Sequence, residues 1–377
     1  MLNHAAAASH VVAASEVRAF ATRILERAGY SPTEAADGAY ALTWASLRGI
    51  DTHGIRNLKR YYIDGIDEGI IVPNARFTID SETPLAARAD GASGLGLAAA
   101  CWGMRLAIDK AAKTGMGFVA MRNSNHIGAA SCYAHMAIEH DMIGLAMTGY
   151  FFANGNPVGM PPTFGLTPLL STNPIAVAAP GGEQFPFVLD MSTSTVPYNR
   201  VELYGELGEP LSRGWARDDS GDDTVDPKRA TLLWPLGGEG GGHKGYGLAM
   251  LVHILTGVLS GGWWHNPERE RTHGHPPDDP ASYAQQGQSN FFGAIRLDQF
   301  GPVDEFKRGM DETIRAVHRS AVAPGRDGVY VAGELERATE QRRRRDGIPV
   351  TTELAVELAE VGRLYEVPLE IQPAPSS

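Results

Sequence analysis

The alternation of apolar and polar positions reads first as helices. Residues 15–29 place Val17, Phe20, Ile24 and Leu25 on one face and stop at Gly29, the spacing of an amphipathic helix with a glycine terminator. Ser31-Pro32-Thr33-Glu34 is a capping box with proline at the first helical position, and it predicts a helix to about Leu47. Residues 52–65 read as a third helix. Near residue 76 the period changes. Residues 75–91 read as strands and turns, 94–113 as a helix, and 115–125 as a buried strand that runs into a loop. A helix over 127–140, strands over 143–148, 175–180 and 185–192, and a helix from Leu248 to Leu259 follow. The glycine-rich stretch 237–247 by itself reads as a flexible loop. Residues 261–289 are polar and rich in Pro and Gly, as in a surface loop. Residues 290–298 form a further strand, 303–320 and 334–365 are helical, and the last ten residues are a loose tail. Strands alternating with helices predict an α/β layer.

Composition narrows the class. A chain of 377 residues with 43% hydrophobic and 20% charged side chains is a globular protein of two or three units. The net charge of −11 argues against nucleic acid as a partner, since a phosphate backbone requires a basic face. The basic run 342–345, beside Glu334, Glu336 and Glu340, reads as a solvated helix face. Cys101 and Cys132 are too few for a disulfide framework and read as structural thiols of a reducing compartment. The N-terminus lacks a basic leader, Ser9 and His10 break its apolar stretch, and no segment approaches the ~20 apolar residues of a membrane span. No membrane partner and a cytoplasmic location are therefore expected.

Candidate chemistry comes from loops at element ends. Gly94-Leu95-Gly96-Leu97-Ala98-Ala99 has the letters of a dinucleotide fingerprint, but no convincing strand precedes it. It reads as a tight helix start rather than a cofactor loop. His265, His273 and His275 with Asp278 and Asp279 read as a solvated loop, so no metal is expected. Four other segments carry polar groups where an α/β scaffold builds its site. They are RGIDTHGIRNLKRYY around His53, NSNHIG around His126, STNPIAVAAP with FVLDMSTS around Asp190, and GHKGYG around Lys244.

Together and in this order, RGIDTHGI, RNSNHIGAA, STNPIAVAAP with FVLDMSTS, GHKGYGLAMLV and the later GIPV resemble the type-2 malate/L-lactate dehydrogenase family, also called L-sulfolactate dehydrogenase-like. The match runs from about residue 15 to 365. The resemblance implies a nicotinamide-dependent oxidoreductase using NAD or NADP, and a homodimer. It implies a non-Rossmann fold: a layered, mixed-sheet α/β cofactor domain over 76–302, with a mainly helical domain from 1–75 plus 303–377. It makes His53 the proton donor or acceptor, which suits an imidazole that titrates near neutrality. Thr52 stands where the family has serine, Asp190 would orient the histidine or relay its proton, and His126 is the second acid/base candidate. Cofactor contacts would come from His126, Ile127, Gly128, Ser171, Thr172, Asn173, His243, Lys244, Ser289 and Asn290, and substrate contacts from Thr148. One departure stands out: the family's carboxylate-binding arginine is Asn57 here. If the segment is helical, positions 53, 56, 57 and 60 share a face, so Arg56 or Arg60 would take over that role. A second departure is the aromatic stretch 150–158, a third His253 in place of a frequent glutamate. The favoured reading is interconversion of a 2-hydroxy acid and a 2-oxo acid, with reduction of a cyclic imine carboxylate as the alternative. A metal-dependent hydrolase and a non-catalytic family member are the remaining classes.

Overall fold

The computed structural model describes residues 10–151, 158–262 and 288–374. Helix α1 (Ala14–Arg27) buries Val17, Phe20, Ala21, Ile24 and Leu25, and the chain then turns at Gly29, whose φ of +101° favours glycine. Helix α2 (Pro32–Leu47) opens on the expected capping box: Ser31 Oγ accepts from the Glu34 N–H, and the Glu34 carboxylate accepts from the Ser31 N–H.

The third helix expected over 52–65 is broken. A 3-10 turn, Asp51–His53, is followed by extended Gly54, a π-helical turn Leu58–Ile63, and the short α3 (Asp64–Asp67). A contact with α2 decides this. Ser46 Oγ accepts from the Ile55 N–H at 2.9 Å, and a Cβ on residue 54 would lie 2.3 Å from that oxygen. Positions 53, 56, 57 and 60 therefore do not share one helical face.

Strand β1 (His10–Val12) lies between β12 (Ile348–Val350) and β13 (Gln372–Pro373) in a small antiparallel sheet. The main sheet contains β2 (Thr78–Glu82), β3 (Ala86–Asp90), β4 (Met116–Ser124), β5 (Met142–Gly149), β6 (Ile175–Ala179), β7 (Phe187–Met191) and β11 (Gln288–Arg296). Its order is β2-β3-β4-β11-β5-β6-β7. β3 and β4 run parallel, joined by α4 (Gly96–Thr114), and the other neighbours are antiparallel. This is an open mixed α/β layer, as expected.

Side-chain alternation along β11 serves two cores. Phe292 packs beneath Gly103 of α4 and against Tyr133 of α5 (Ser131–Met136), while Phe291 packs with Ala120, Met147 and Val252 on the other face. The larger core is continuous from α1 and α2 through this sheet face to Leu358 and Val361 near the C-terminus. A third cluster joins Val201 and Tyr204 of α6 (Tyr198–Leu207) to the small sheet β8 (Ala216–Arg217), β9 (Asp223–Thr224) and β10 (Leu232–Leu233).

Several local expectations are corrected. The glycine-rich stretch is helical: α7 runs Gly238–His253, with Gly245 pressed on the Leu236 backbone where a side chain would clash. Residues 127–130 are not helical, and α5 begins at Ser131. The segment 334–365 is two helices, Glu334–Asp346 and Thr352–Leu364, separated by Gly347 (φ +91°) and β12. Within the basic run, Arg343 is not solvated: only 9% of its surface is exposed. Cys101 and Cys132 are buried free thiols. The His-rich loop and residues 152–157 of the aromatic stretch lie outside the described residues. Among the described residues no helix is long and apolar enough to cross a membrane.

Candidate active site

The His126 loop leaves the end of β4 and is fixed from both sides. Asn125 Nδ2 donates to the carbonyls of Ser93 and Gly94, each at 2.9 Å. Gly96 at the start of α4 packs so closely that a Cβ would sit 2.4–2.5 Å from the Asn125 and His126 carbonyls. The glycine pattern at 94–99 thus lets a helix start approach this loop. Gly128, in the left-handed region at φ +67°, turns its N–H back on the ring. His126 Nδ1 faces that N–H at 3.4 Å and Tyr62 Oη at 2.8 Å. A backbone N–H only donates, so Nδ1 is the acceptor, Tyr62 donates to it, and the imidazole proton sits on Nε2.

His53 comes from the 3-10 turn. Thr52 Oγ1 lies 2.9 Å from His53 Nδ1. The Thr52 carbonyl accepts from Asn57 Nδ2 at 2.9 Å and from Asn199 Nδ2 at 3.1 Å. The two histidine rings stack with centroids 5.6 Å apart and 21° between planes, and Tyr61 stacks on the far face of the pair, 4.6 Å from His126. The Arg60 guanidinium covers Tyr61 at 5.2 Å. The order Arg60, Tyr61, His126, His53 has an electrostatic consequence. Burial lowers the His53 pKa to about 4. Burial, then repulsion from His53 and Arg60, lowers that of His126 to about 3. Both rings are neutral at pH 7.

The other expected residues divide by location. Asn57 is buried and is spent on the Thr52 carbonyl, so it braces the His53 turn from inside. Arg56 and Arg60 point instead to α6, where Glu206 and Glu202 hold them in two-pronged ion pairs of 2.6–2.8 Å and 2.7–2.9 Å. Asp190 accepts from the Ser131 N–H at 2.8 Å and from Ser131 Oγ at 2.5 Å, at the start of α5. No hydrogen bond joins Asp190 to either histidine, so the geometry does not bring it into a relay with them. Burial raises its pKa against those two donors. Ile127 is buried, and its carbonyl accepts from Tyr133 Oη at 2.5 Å.

Thr148 and Asn290 are direct partners across β5 and β11. Thr148 Oγ1 is 3.3 Å from Gln288 Oε1, and both amide atoms of Asn290 are buried without a partner among the described residues. Ser289 lines a small cleft with Gly149, Tyr150, Phe151, His253 and Gly262, where His253 stacks on Phe151 at 4.9 Å. Asn173 ties the end of β5 to α7, accepting from the Tyr150 N–H at 3.2 Å and donating to the Ala249 carbonyl at 3.0 Å. Ser171 N–H donates to the Tyr150 carbonyl, and the Thr172 carbonyl accepts from Thr193. His243 and Lys244 are exposed on the first turns of α7. Sequence reasoning did not assign Tyr61, Tyr62, Asn199, Glu202 or Glu206. The tyrosines adjoin the His53 motif, and an aromatic pair there was a usable signal. The α6 residues carry none.

The model of the malate/L-lactate dehydrogenase family matches residues 12–359. The malate dehydrogenase of Pyrococcus abyssi is 40% identical over 354 residues, covering 92% of this chain and 93% of that protein. The ureidoglycolate dehydrogenase (NAD(+)) of Escherichia coli O157:H7 is 28% identical, covering 87% and 89%. The crystal structure of malate dehydrogenase from Entamoeba histolytica superposes with a TM-score of 0.85 at 34% identity, covering 95% of this chain and 99% of that one. The chain belongs to the malate/L-lactate dehydrogenase family and is a dehydrogenase.

Proposed function

We propose that the protein oxidises a 2-hydroxy acid to the 2-oxo acid, and catalyses the reverse reduction, with NAD or NADP. The observation that carries this reading is the stacked pair of neutral histidines, one with its tautomer fixed. In the oxidation direction His53 takes the hydroxyl proton, because a neutral imidazole has a free lone pair to receive it. The Nε2–H of His126 donates to the substrate oxygen and sharpens its orientation. Two relatives support the substrate class, since malate and ureidoglycolate both carry a hydroxyl next to a carboxylate.

Asn290 supports the cofactor. Its donor and acceptor are both buried and unpaired among the described residues, a cost of about 1–3 kcal/mol for each such group that a carboxamide ligand would remove. The nicotinamide, when bound, takes up or supplies the hydride. Ile127, Gly128, Thr148, Ser171, Thr172, Asn173 and Ser289 would line its path. His243 and Lys244 on α7 would meet its phosphates, where a helix start favours anions.

A substrate carboxylate also needs a cation, because burying it unpaired is very costly. Arg60 is the cation whose charge reaches His126, and Arg56 lies beside it against α6. Each already holds a glutamate, so the acid replaces one carboxylate by another. Asp190 stays with Ser131 in this scheme. The homodimer implied by the resemblance is supported by an exposed apolar face, Leu251, Ile254, Val258 and Leu259.

The test is His53→Ala. Cofactor binding, followed by NAD(P)H fluorescence, stays intact while turnover falls by about two to four orders of magnitude, the range for losing a general acid/base. Unchanged turnover removes His53 from the chemistry.

A further inference from the structure

We propose that Arg343, on the C-terminal helix Glu334–Asp346, is a positioning residue for His53, acting through Asp51 and the end of α2. The inference rests on the reading of His53 given above.

The contact set is specific. Arg343 Nη1 and Nη2 grip the Asp51 carboxylate at 2.5 and 2.8 Å, and Asp51 opens the 3-10 turn that carries His53. Arg343 Nη1 also donates to the Ser46 carbonyl at 2.5 Å. That carbonyl belongs to the last turn of α2, where the helix dipole favours a cation. Ser46 closes the other side, since its Oγ accepts from the Ile55 N–H at 2.9 Å. One guanidinium therefore spans the two ends of a brace, residues 46 and 51, that encloses the turn on which His53 sits. The planar fork fixes direction as well as distance, which a lysine does not.

The surroundings fit that geometry. Gly49, at φ +77°, follows α2 against this helix: a Cβ there would lie 3.0 Å from Thr339 Cγ2 and 4.0 Å from Arg343 Nη2. Glu340, one turn before Arg343, pairs with Arg48 at 3.0 Å. By contrast Arg344 pairs within its own helix with Glu340 and is 60% exposed, and Arg345 is 72% exposed. The run 342–345 is thus a solvated face with one member turned inward.

An imidazole displaced by about 1 Å loses on the order of 100-fold in rate, because proton transfer needs hydrogen-bond contact. Arg343→Ala is expected to lower kcat about 10- to 100-fold while KM for the hydroxy acid and for NAD(P) changes less than about threefold. Arg343→Lys, which keeps the charge but not the fork, is expected to fall between. Asp51→Ala removes the same contact from an exposed side chain, so it tests the idea if Arg343→Ala does not fold. The double variant should lose no more than the worse single one. A second measurement needs no turnover: titration of the His53 ring by NMR. Loosening the turn admits water, so its pKa should move up from about 4 towards the ordinary 6.5. Folded variants with kcat within twofold of wild type and an unmoved His53 titration would overturn the proposal. So would additive losses in the double variant. If His53→Ala leaves turnover unchanged, the proton role fails, and the NMR shift alone decides whether Arg343 positions the ring.

Discussion

Tyr62→Phe isolates the device that sets the His126 tautomer. Tyr62 is fully buried, and its Oη donates to His126 Nδ1 at 2.8 Å. Its backbone carbonyl separately accepts from Tyr30 Oη at 3.0 Å, which phenylalanine leaves untouched. The substitution removes one oxygen and creates no sizeable cavity. What remains on Nδ1 is the Gly128 N–H at 3.4 Å, a long bond. A neutral buried hydrogen bond contributes about 0.5–1.5 kcal/mol net. The preference for the Nε2–H form should fall by the same amount, about 2- to 13-fold in ratio. We expect kcat/KM for hydroxy-acid oxidation to drop about 3- to 10-fold, with the melting temperature falling by only about 2 °C, as suits a loss near 1 kcal/mol in a large chain. The assay is steady-state NAD(P)H formation, alongside 15N chemical shifts of the His126 ring, which report the tautomer directly. The reasoning fails if the wild-type ring carries its proton on Nδ1. It also fails if Tyr62→Phe keeps both the tautomer populations and kcat/KM within twofold of wild type.

Other expectations follow from separate contacts. Glu206→Gln frees Arg56 from its two-pronged pair, so KM for the acid substrate should fall severalfold with kcat held; an unchanged or higher KM would refute exchange of carboxylates at this arginine. Asp311 accepts from the backbone N–H groups of Gly182, Glu183 and Gln184 at 2.8–3.0 Å. Burial raises its pKa, but these donors outweigh it and the net shift is downward. A folded pKa below the unfolded value near 3.9 stabilises above that pH and is lost as pH falls through the folded value. Asp311→Ala should therefore lower stability by about 1–2 kcal/mol at pH 7. The gap from wild type should close below about pH 4 in thermal melts; a gap constant with pH would refute the charged-acceptor role. Leu251→Glu, on the exposed apolar face, should turn a sedimenting dimer into monomer, and a wild-type monomer at assay concentration removes the dimer.

The sequence by itself determined the elements whose signals are local. The faces of α1, the capping box of α2 and the apolar runs that become β4 and β11 are each written within a few residues, and the structure reproduces them. The motifs around His53 and His126 are visible in order along the chain, but the helix starts expected directly after them are not what forms: Gly54 is extended after His53, and α5 begins only at Ser131. What only the tertiary structure decided depends on partners far away in sequence. Ser46 breaks the third helix at Gly54, and so sends Asn57 inward and Arg56 outward. The glycines of 238–247 form a helix against their intrinsic propensity, and of these Gly245 alone lies where a neighbouring backbone, that of Leu236, leaves no room for a side chain. Asp190 was legible as a lone carboxylate at a strand end, but not that Ser131 would claim it. Arg343 was legible only as one of four arginines. It stands 292 positions from Asp51, and nothing in either local sequence pairs the two, since an ion pair is specified by where two backbones pass.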